Sequence, residues 1–393
     1  MPQHSLDNVS IDGFRGLRNL TLDGLGPLNI LVGENNSGKT SVLEALSILC
    51  NPYEPFEWLE MVRRRDFGGL DETRIHSLRW CFAQRGELAD ADFMFQSHCE
   101  MKSTGAFPLR KLHVEYKDIV GEPSAKELER IARQRPGTGD AIDEQWRGAE
   151  ITHYVEADPT PLKSSLFDSG THSTIEPIVI QLWEEDRMMG RFSRSRRRGN
   201  LPTDTLTPYS YQINRLQVRS HSQQLFRSIA DPTKGREYVL ELIRQFDSDI
   251  IDIEIASFRG VRPAIYLNHK RLGPAPLSIF GDALRRAVLL ASTLHALKGG
   301  GVLLIDEIET GIHVSALQRV FAWLANAAKQ FDVQIIATTH SLEAVDAIAQ
   351  SVNDRIDDLV TFHLDQTEQE TRVKRIPGEL LLRLRRERGL DVR

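Results

Sequence analysis

Three cysteines in 393 residues, Cys50, Cys81 and Cys99, form no C-x-x-C pair. That scatter leaves no thiolate zinc site and no disulfide framework, and it fits a reducing, cytoplasmic setting. No apolar run reaches the ~20 residues that span a bilayer, so contact with a membrane would need a partner. Residues 1–8 are polar and lack the apolar core of a signal peptide. Neither sign of charge is in excess: 49 Lys and Arg face 55 Asp and Glu. The net charge of -6 gives no global case for nucleic-acid binding, so any such surface must be local. Heptads sustained over several turns are missing, which excludes a long coiled-coil arm, and no internal repeat is present. What remains is an ordinary globular composition, 40% hydrophobic and 26% charged. It is long enough for one large or two modest domains.

Against this plain background one stretch carries chemistry. Residues 33–40 read Gly-Glu-Asn-Asn-Ser-Gly-Lys-Thr and fit G-x-x-x-x-G-K-[ST], a phosphate-binding loop. Gly33 and Gly38 permit backbone angles that turn successive N–H groups onto a polyphosphate. Lys39 can neutralise β- and γ-phosphates, and the Thr40 hydroxyl can ligate Mg²⁺. The helix that follows points its positive end at the same anion. Gly33, Glu34, Asn35, Asn36, Ser37, Gly38, Lys39, Thr40 and Ser41 are thus the candidate nucleotide contacts. Residues 28–32 are a short apolar run, read as a buried strand. Within 41–49, Val42, Leu43, Leu46 and Leu49 fall at helical spacing. Strand, glycine loop and helix follow in the order the motif requires, which opposes a chance match.

A second block lies near the far end. Val302-Leu303-Leu304-Ile305-Asp306-Glu307 is an apolar strand ending in two carboxylates. Asp306 can hold Mg²⁺ directly or through water, and Glu307 can orient and deprotonate an attacking water. The alternative is a strand that ends in solvated acids. Ile335-Ile336-Ala337-Thr338-Thr339-His340-Ser341 is another apolar strand, ending at a histidine that can donate to a γ-phosphate or its attacking water. A capping or surface histidine is the alternative. Helices at 282–297, 313–328 and 341–349 alternate with strands at 301–306 and 333–338, which predicts a largely parallel sheet with helices on both faces. Strands at 9–11 and 20–22 precede the loop. Two strands within 359–376 and a helix over 378–388 close the chain.

These blocks divide the chain into an N-terminal part at 1–83, an inserted α+β region at 84–236 and a C-terminal part at 237–393. Strands at 112–116, 151–155 and 178–182 and a helix over 124–133 are expected in the insert. Turn-rich stretches interrupt it at 135–140, 158–174 and 199–207. Asp247 and Asp249 precede a strand at 250–255 and read as a helix-to-strand turn rather than a nuclease site. Of the three basic clusters, 63–65 and 383–388 read as helix surfaces with acidic neighbours. The cluster at 187–198, with Phe192 interleaved, reads either as a phosphate-backbone contact or as a solvated loop.

Taken together, these motifs resemble the ABC-type ATPases that include the SMC, RecF and OLD (overcoming lysogenization defect) proteins, above all the OLD-like branch often labelled AAA-type. Gly13-Phe14-Arg15-Gly16 is similar to the N-terminal F-R-G turn, and the loop at 33–40 with its Ser-Val-Leu-Glu-Ala-Leu helix matches the branch closely. Residues 305–313, Ile-Asp-Glu-Ile-Glu-Thr-Gly-Ile-His, resemble its Walker B and following loop, and 338–341 its switch-histidine segment. Leu277-Ser278-Ile279-Phe280-Gly281-Asp282-Ala283, followed by Arg285-Arg286, is similar to the S-x-x-G-D-G signature, with Ala283 in place of the last Gly. The likeness covers about 8–80 and 265–360 well and the insert poorly.

The resemblance implies an α/β P-loop NTPase head of ABC/SMC type, with a mainly parallel core sheet, an N-terminal antiparallel β-subdomain and an inserted α+β region. It implies ATP and Mg²⁺ as cofactors, with Lys39, Glu307 and His340 catalytic, Thr40 and Asp306 on the metal, and Arg15 among the nucleotide contacts. It further implies an ATP-dependent homodimer or higher assembly, in which Ser278 and Gly281 reach the γ-phosphate held by the other subunit. Glu309 and His313 would lie near that interface, and Gln84 is a glutamine-loop candidate by position. Too little chain follows His340 for the fused TOPRIM nuclease of many OLD-like proteins, and the Arg388–Arg393 ending resembles stand-alone members that work with a separately encoded effector. The expectation is an ATPase coupled to such an effector or nuclease, or to double-stranded DNA or other nucleic acid, in phage defence or DNA repair. The alternative is an ATP-bound scaffold or sensor that holds a toxic effector and hydrolyses slowly. A transporter subunit is disfavoured by the F-R-G start, the altered signature and the large insert.

Overall fold

The computed structural model describes residues 4–54, 56–65, 74–83, 94–121, 146–158, 173–174, 177–183, 187–189, 199–208, 210, 235–256, 264–367 and 370–393. The chain opens with strands β1 (Asn8–Asp12), β2 (Leu20–Asp23) and β3 (Leu28–Val32), then helices α1 (Lys39–Cys50), α2 (Phe56–Arg65) and α3 (Arg74–Arg79). Strands β4 (Gln96–Thr104), β5 (Leu109–Gly121), β6 (Trp146–Ala157), β7 (Ser173–Thr174), β8 (Ile178–Trp183), β9 (Arg187–Met189) and β10 (Thr203–Leu206) follow. Helix α4 (Gly235–Ile243) leads to β11 (Ile250–Ala256), β12 (Ala264–His269) and β13 (Gly273–Pro276). The last block is α5 (Asp282–Ala296), β14 (Gly301–Ile305), α6 (Val314–Phe331), β15 (Val333–Thr338), α7 (Leu342–Ser351), β16 (Leu359–Gln366), β17 (Thr371–Pro377) and α8 (Gly378–Arg386).

Six strands make the central sheet in the order β10-β14-β15-β3-β16-β17. All pairs are parallel except β16 with β17. Every residue of β3, β14 and β15 is buried, because helices or a second sheet cover both faces; hence their near-continuous apolar sequences. Alternation sends neighbours to opposite sides. Leu303, Ile305, Ile335 and Ala337 join a core with α4, α5, α6 and α7. Val302, Leu304, Ile336 and Leu31 join a second core with α1, α2 and the antiparallel sheet. The polar residues inside these strands, Asn29, Gln334 and Thr338, are bonded, as burial demands. Asn29 donates to the Gly26 and Ile335 carbonyls, and Gln334 to those of Leu6 and Gly26.

The second sheet runs β2-β1-β4-β5-β6-β8-β9, with β7 on β6. Its pairings are antiparallel, and β1 lies between β2 and β4. The N-terminal strands and those of 96–189 are therefore one continuous sheet. A smaller antiparallel sheet holds β11, β12 and β13.

One stretch departs from the sequence reading. Turns are expected over 199–207, yet Thr203–Leu206 is the edge strand beside β14, Thr203 opposite Val302 and Leu206 opposite Ile305. Its Thr-Asp-Thr sequence hides the strand, because what it buries is polar. Thr205 is buried and donates to Ser47 Oγ of α1 at 3.3 Å. The expected helix at 124–133 and turn at 135–140 lie outside the described residues.

Where the antiparallel sheet meets α1 and α2, Trp58 stacks on Phe82 at 5.2 Å and 12°. Trp58 donates its Nε1–H to His153 Nε2 at 2.8 Å, and His153 Nδ1 lies 2.9 Å from the Pro52 carbonyl. Since Trp only donates, Nε2 accepts and Nδ1 carries the proton. Burial pushes His153 down to about 4, against the Pro52 bond that raises it. The unfolded chain takes up this proton near ~6.5 and the folded chain does not until about 4, so stability falls as pH drops through that window. This group should remove about 2 kcal/mol between pH 7 and 5, read as a lower urea midpoint. His153→Gln can keep both bonds without titrating and should flatten that part of the loss; an equal acid loss in both proteins would refute the assignment.

Candidate functional site

At the end of β3 the backbone turns sharply. Gly33 has φ 146°, and a Cβ there would collide with the Leu364 carbonyl of β16. Gly38 has φ 91°, and a Cβ there would stand 2.7 Å from Leu17 Cδ2, the end of a side chain that would have to shift. Both positions favour glycine for conformation, and Gly33 for space as well. Between them Asn36 takes φ 66°, which asparagine tolerates. Lys39 is buried, and its Nζ donates to the Gly33 and Glu34 carbonyls at 2.8 and 2.7 Å and to Ser37 Oγ at 3.2 Å. Burial pulls its ammonium below the ordinary lysine value, against Asp306 and Glu307, which hold it up. Helix α1 starts on Gly38 with no side-chain cap, so no side chain competes for its first N–H groups.

The parallel register sets the rest. Ile305 of β14 lies opposite Ala337 of β15, and Thr338 opposite Leu31 of β3. Strand ends therefore line up beside the loop, where open α/β sheets place their ligands. Thr40 Oγ1 donates to Asp306 Oδ1 at 3.1 Å, and Thr338 Oγ1 donates to the same oxygen at 2.7 Å. Burial pushes the Asp306 carboxyl above the usual carboxylate range, against the Thr338 and Thr40 hydroxyls that lower it. The Glu307 N–H donates to Thr338 Oγ1 at 2.9 Å. Thr338 thus ties both carboxylate residues to β15. Glu307 itself is left-handed, φ 49°, a strained state for a non-glycine residue. Arg286 of α5 donates to its carbonyl at 2.5 Å and Thr310 to its Oε2 at 2.8 Å.

His340 follows β15. Its N–H donates to Glu309 Oε1 at 3.1 Å, and Ser341 caps α7 through Ala344 N–H at 3.1 Å. Arg15, with φ 51°, pairs with buried Glu44 of α1 at 2.7 Å, and Arg65 reaches the same carboxylate at 2.6 Å and Ser41 Oγ at 3.3 Å. Ser278 and Gly281 stand exposed before α5, whose start has no side-chain cap. His313 caps α6, accepting from Ser315 N–H. Arg63 and Arg64 pair with Glu60 and Glu57, and Arg385 with Asp346. Gln84 and residues 191–198 lie outside the described residues.

Asp247 and Asp249 sit between α4 and β11, near His269. His269 Nδ1 accepts from the Arg271 and Leu272 N–H groups, so its Nε2 carries the proton and faces Asp247 at 3.3 Å. Asp249 pairs with Arg271 at 3.0 Å. This trio is a bonded turn with no lone pair left on the imidazole for a metal. The sequence motifs leave Thr338 and Arg286 without a role. A hydroxyl at the end of a buried strand is the available signal for the first. The second depends on a contact between residues 286 and 307 that no local pattern reveals. Among the described residues, no helix is long and apolar enough to cross a membrane.

Residues 143–346, just over half of the chain, match a family model described as "AAA domain, putative AbiEii toxin, Type IV TA system". Residues 5–138 match one described as "AAA ATPase domain". An "ATP/GTP phosphatase" of Helicobacter pylori is 20% identical over 361 residues, 89% of each chain. The "DNA replication and repair protein RecF" of Pseudomonas savastanoi is 53% identical over 45 residues, 12% of each. A solved SMC head bound to the C-winged helix domain of ScpA aligns over 95% of this chain and 98% of its own, with TM-score 0.47 and 11% identity.

Thr338→Val keeps the shape of the side chain and deletes its bonds to Asp306 and Glu307. Turnover of ATP should fall roughly thirty-fold, the worth of about 2 kcal/mol, while nucleotide affinity changes little. Wild-type turnover would remove Thr338 from the site. Gly33→Ala should abolish nucleotide binding measured by calorimetry, and retained affinity would refute the role given to the loop's tight approach to β16.

Proposed function

The chain belongs to this AAA-domain family and is an ATPase, and from that premise we propose that two copies close around ATP and open on hydrolysis, driving a separate effector or nucleic acid. The observation that carries this reading is the separation of the motifs. The loop, Asp306, Glu307 and His340 gather at the strand ends, whereas Ser278 and Gly281 are exposed. Ile279 beside them and Val314 after His313 are 61% and 62% exposed. An exposed signature with apolar neighbours suits contact with a second copy, which would complete each site.

In this reading Lys39 exchanges its loop acceptors for β- and γ-phosphate oxygens. Thr40 and Asp306 would hold Mg²⁺; two hard oxygen donors 3.1 Å apart suit that ion. The metal would supply neutralising charge to the β- and γ-oxygens. Glu307 orients a water and takes its proton as the water oxygen bonds to the γ-phosphorus and the bond to the ADP oxygen breaks. His340 donates to the γ-phosphate as charge develops. Arg15, after β1, and Arg65, at the end of α2, both pair with Glu44 of α1, and Arg65 also reaches Ser41 next to the loop. The region between 84 and 236 is the partner-facing arm: outside β10, its strands continue the sheet begun by β1 and β2. Three buried free thiols suit a cytoplasmic location.

A second reading is an ATP-bound sensor that restrains a toxic effector. The family description, which names a toxin and a toxin–antitoxin system, favours it. The short RecF match favours a DNA-linked role instead.

Mass in solution and ATP turnover, with and without duplex DNA, separate these readings. Glu307→Gln should bind ATP, lose at least about a hundred-fold in turnover and accumulate as the closed dimer. A Glu307→Gln protein that hydrolyses normally, or one that stays monomeric with ATP, sinks the dimer mechanism. DNA-stimulated turnover supports the nucleic-acid role, and a constitutive assembly with slow, DNA-indifferent turnover supports the sensor.

A further inference from the structure

His340 lies beyond the last ladder bond of β15, and side chains from two distant segments hold its backbone. Its N–H donates to Glu309 Oε1 at 3.1 Å, and its carbonyl accepts from Arg393 Nη1 at 3.2 Å. Glu309 belongs to the turn after Glu307. That turn is fixed to the end of β15 at two further points: Glu307 N–H on Thr338 Oγ1 and Ile308 N–H on the Thr338 carbonyl, at 2.9 and 3.0 Å. The turn and the histidine segment are thus one bonded unit. Glu309 Oε2 is buried and has no partner among the described residues, so the His340 N–H is the bond that justifies a carboxylate there.

The segment that brings Arg393 is itself tied down. Arg385 of α8 forks onto Asp346 of α7, both bonds 2.7 Å, and reaches the Leu390 carbonyl at 2.7 Å. Val392 is buried in the core shared with α5, α6 and α7. His363 Nε2 of β16 lies 3.0 Å from the Arg393 carbonyl oxygen. Asp391 accepts from Arg393 Nε and Nη2 at 3.1 and 2.8 Å, which aims the guanidinium. So much fixing is more than a frayed segment needs, and among the described residues it meets the site at the His340 carbonyl.

We propose that Glu309 and Arg393 are positioning residues that hold the two peptide planes flanking the His340 Cα, with residues 390–393 as a strap. Turning either plane would swing the Cα–Cβ bond and with it the imidazole, so the clamp sets how the ring meets the γ-phosphate end of the nucleotide. The inference rests on the reading of His340 as a γ-phosphate donor. Neither clamp residue touches the nucleotide. Their loss slows the chemical step and spares ground-state binding.

The test is steady-state ATP turnover with separately measured nucleotide affinity. Arg393→Ala and Glu309→Ala should each lower kcat about tenfold, the scale of one charge-assisted bond, with KM and Kd for ATP within about twofold. Arg393→Lys and Glu309→Gln keep a donor or an acceptor and should recover most of the rate. Combined with His340→Ala, neither should slow the enzyme further, since all act through one ring. Unchanged kcat in the alanine variants, a matching loss of affinity, or losses additive with His340→Ala would overturn the clamp. A His340→Ala protein with wild-type turnover would overturn the reading of His340 and the clamp with it. A slow His340→Ala protein beside a fast Arg393→Ala protein would overturn the clamp alone. Circular dichroism melts accompany each variant; Arg393 is 42% exposed, so its truncation leaves the fold intact.

Discussion

The register of three parallel strands governs this molecule. With Ile305 opposite Ala337 and Thr338 opposite Leu31, the ends of β14, β15 and β3 stop at one level. A shift by one residue would turn Thr338 to the opposite face and send its hydroxyl away from Asp306 and Glu307. Those strands are buried on both faces and feed two separate cores, so the burial that folds the protein also brings these strand ends together. Function here is a by-product of how β14 and β15 pack.

Much of this is legible in the sequence, for a physical reason. A strand buried on both faces must be apolar throughout, and a loop that touches backbone must be glycine. Residues 28–32, 301–305 and 333–338 therefore announce themselves, as do Gly33 and Gly38. The motifs also pick out the residues that meet at the strand ends: Lys39, Thr40, Asp306, Glu307 and the His340 segment. What stays hidden is carried by contacts rather than by local pattern. Strand β10 reads Thr-Asp-Thr-Leu and buries its polar groups, so no hydrophobic period marks it. The pairing of β1 with β4 joins residues that the whole of α1, α2 and α3 separates. Arg286 on Glu307 and Arg393 on His340 are long-range bonds; the segments that carry the two arginines resemble family motifs, but no local pattern reveals which residue each side chain meets. Arg15 reads as a nucleotide contact from its turn alone; the structure adds that Glu44 of α1 holds it.

The site is also unevenly stiff. Asp306 and Glu307 share Thr338, and Glu307 is held in a left-handed conformation by bonds at its N–H, carbonyl and carboxylate. Among the described residues the exposed turn before α5 has no comparable fixing: Ser278 and Gly281 face solvent, and no described atom outside the neighbouring residues lies within 4 Å of a Cβ built on Gly281. The fixed groups thus lie at the strand ends and the open ones before α5.

Helix α1 carries one last implication. Nearly every residue of it is buried, from Val42 to Cys50, with the central sheet on one side and the antiparallel sheet on the other. A helix without a free face transmits displacement and cannot absorb it. Any tilt given to its first turn by a bound phosphate must be passed on to the sheet that lies across it, with Trp58 and His153 as the fitted bearing between them. The antiparallel sheet is, in mechanical terms, an indicator needle mounted on the phosphate loop's own axle.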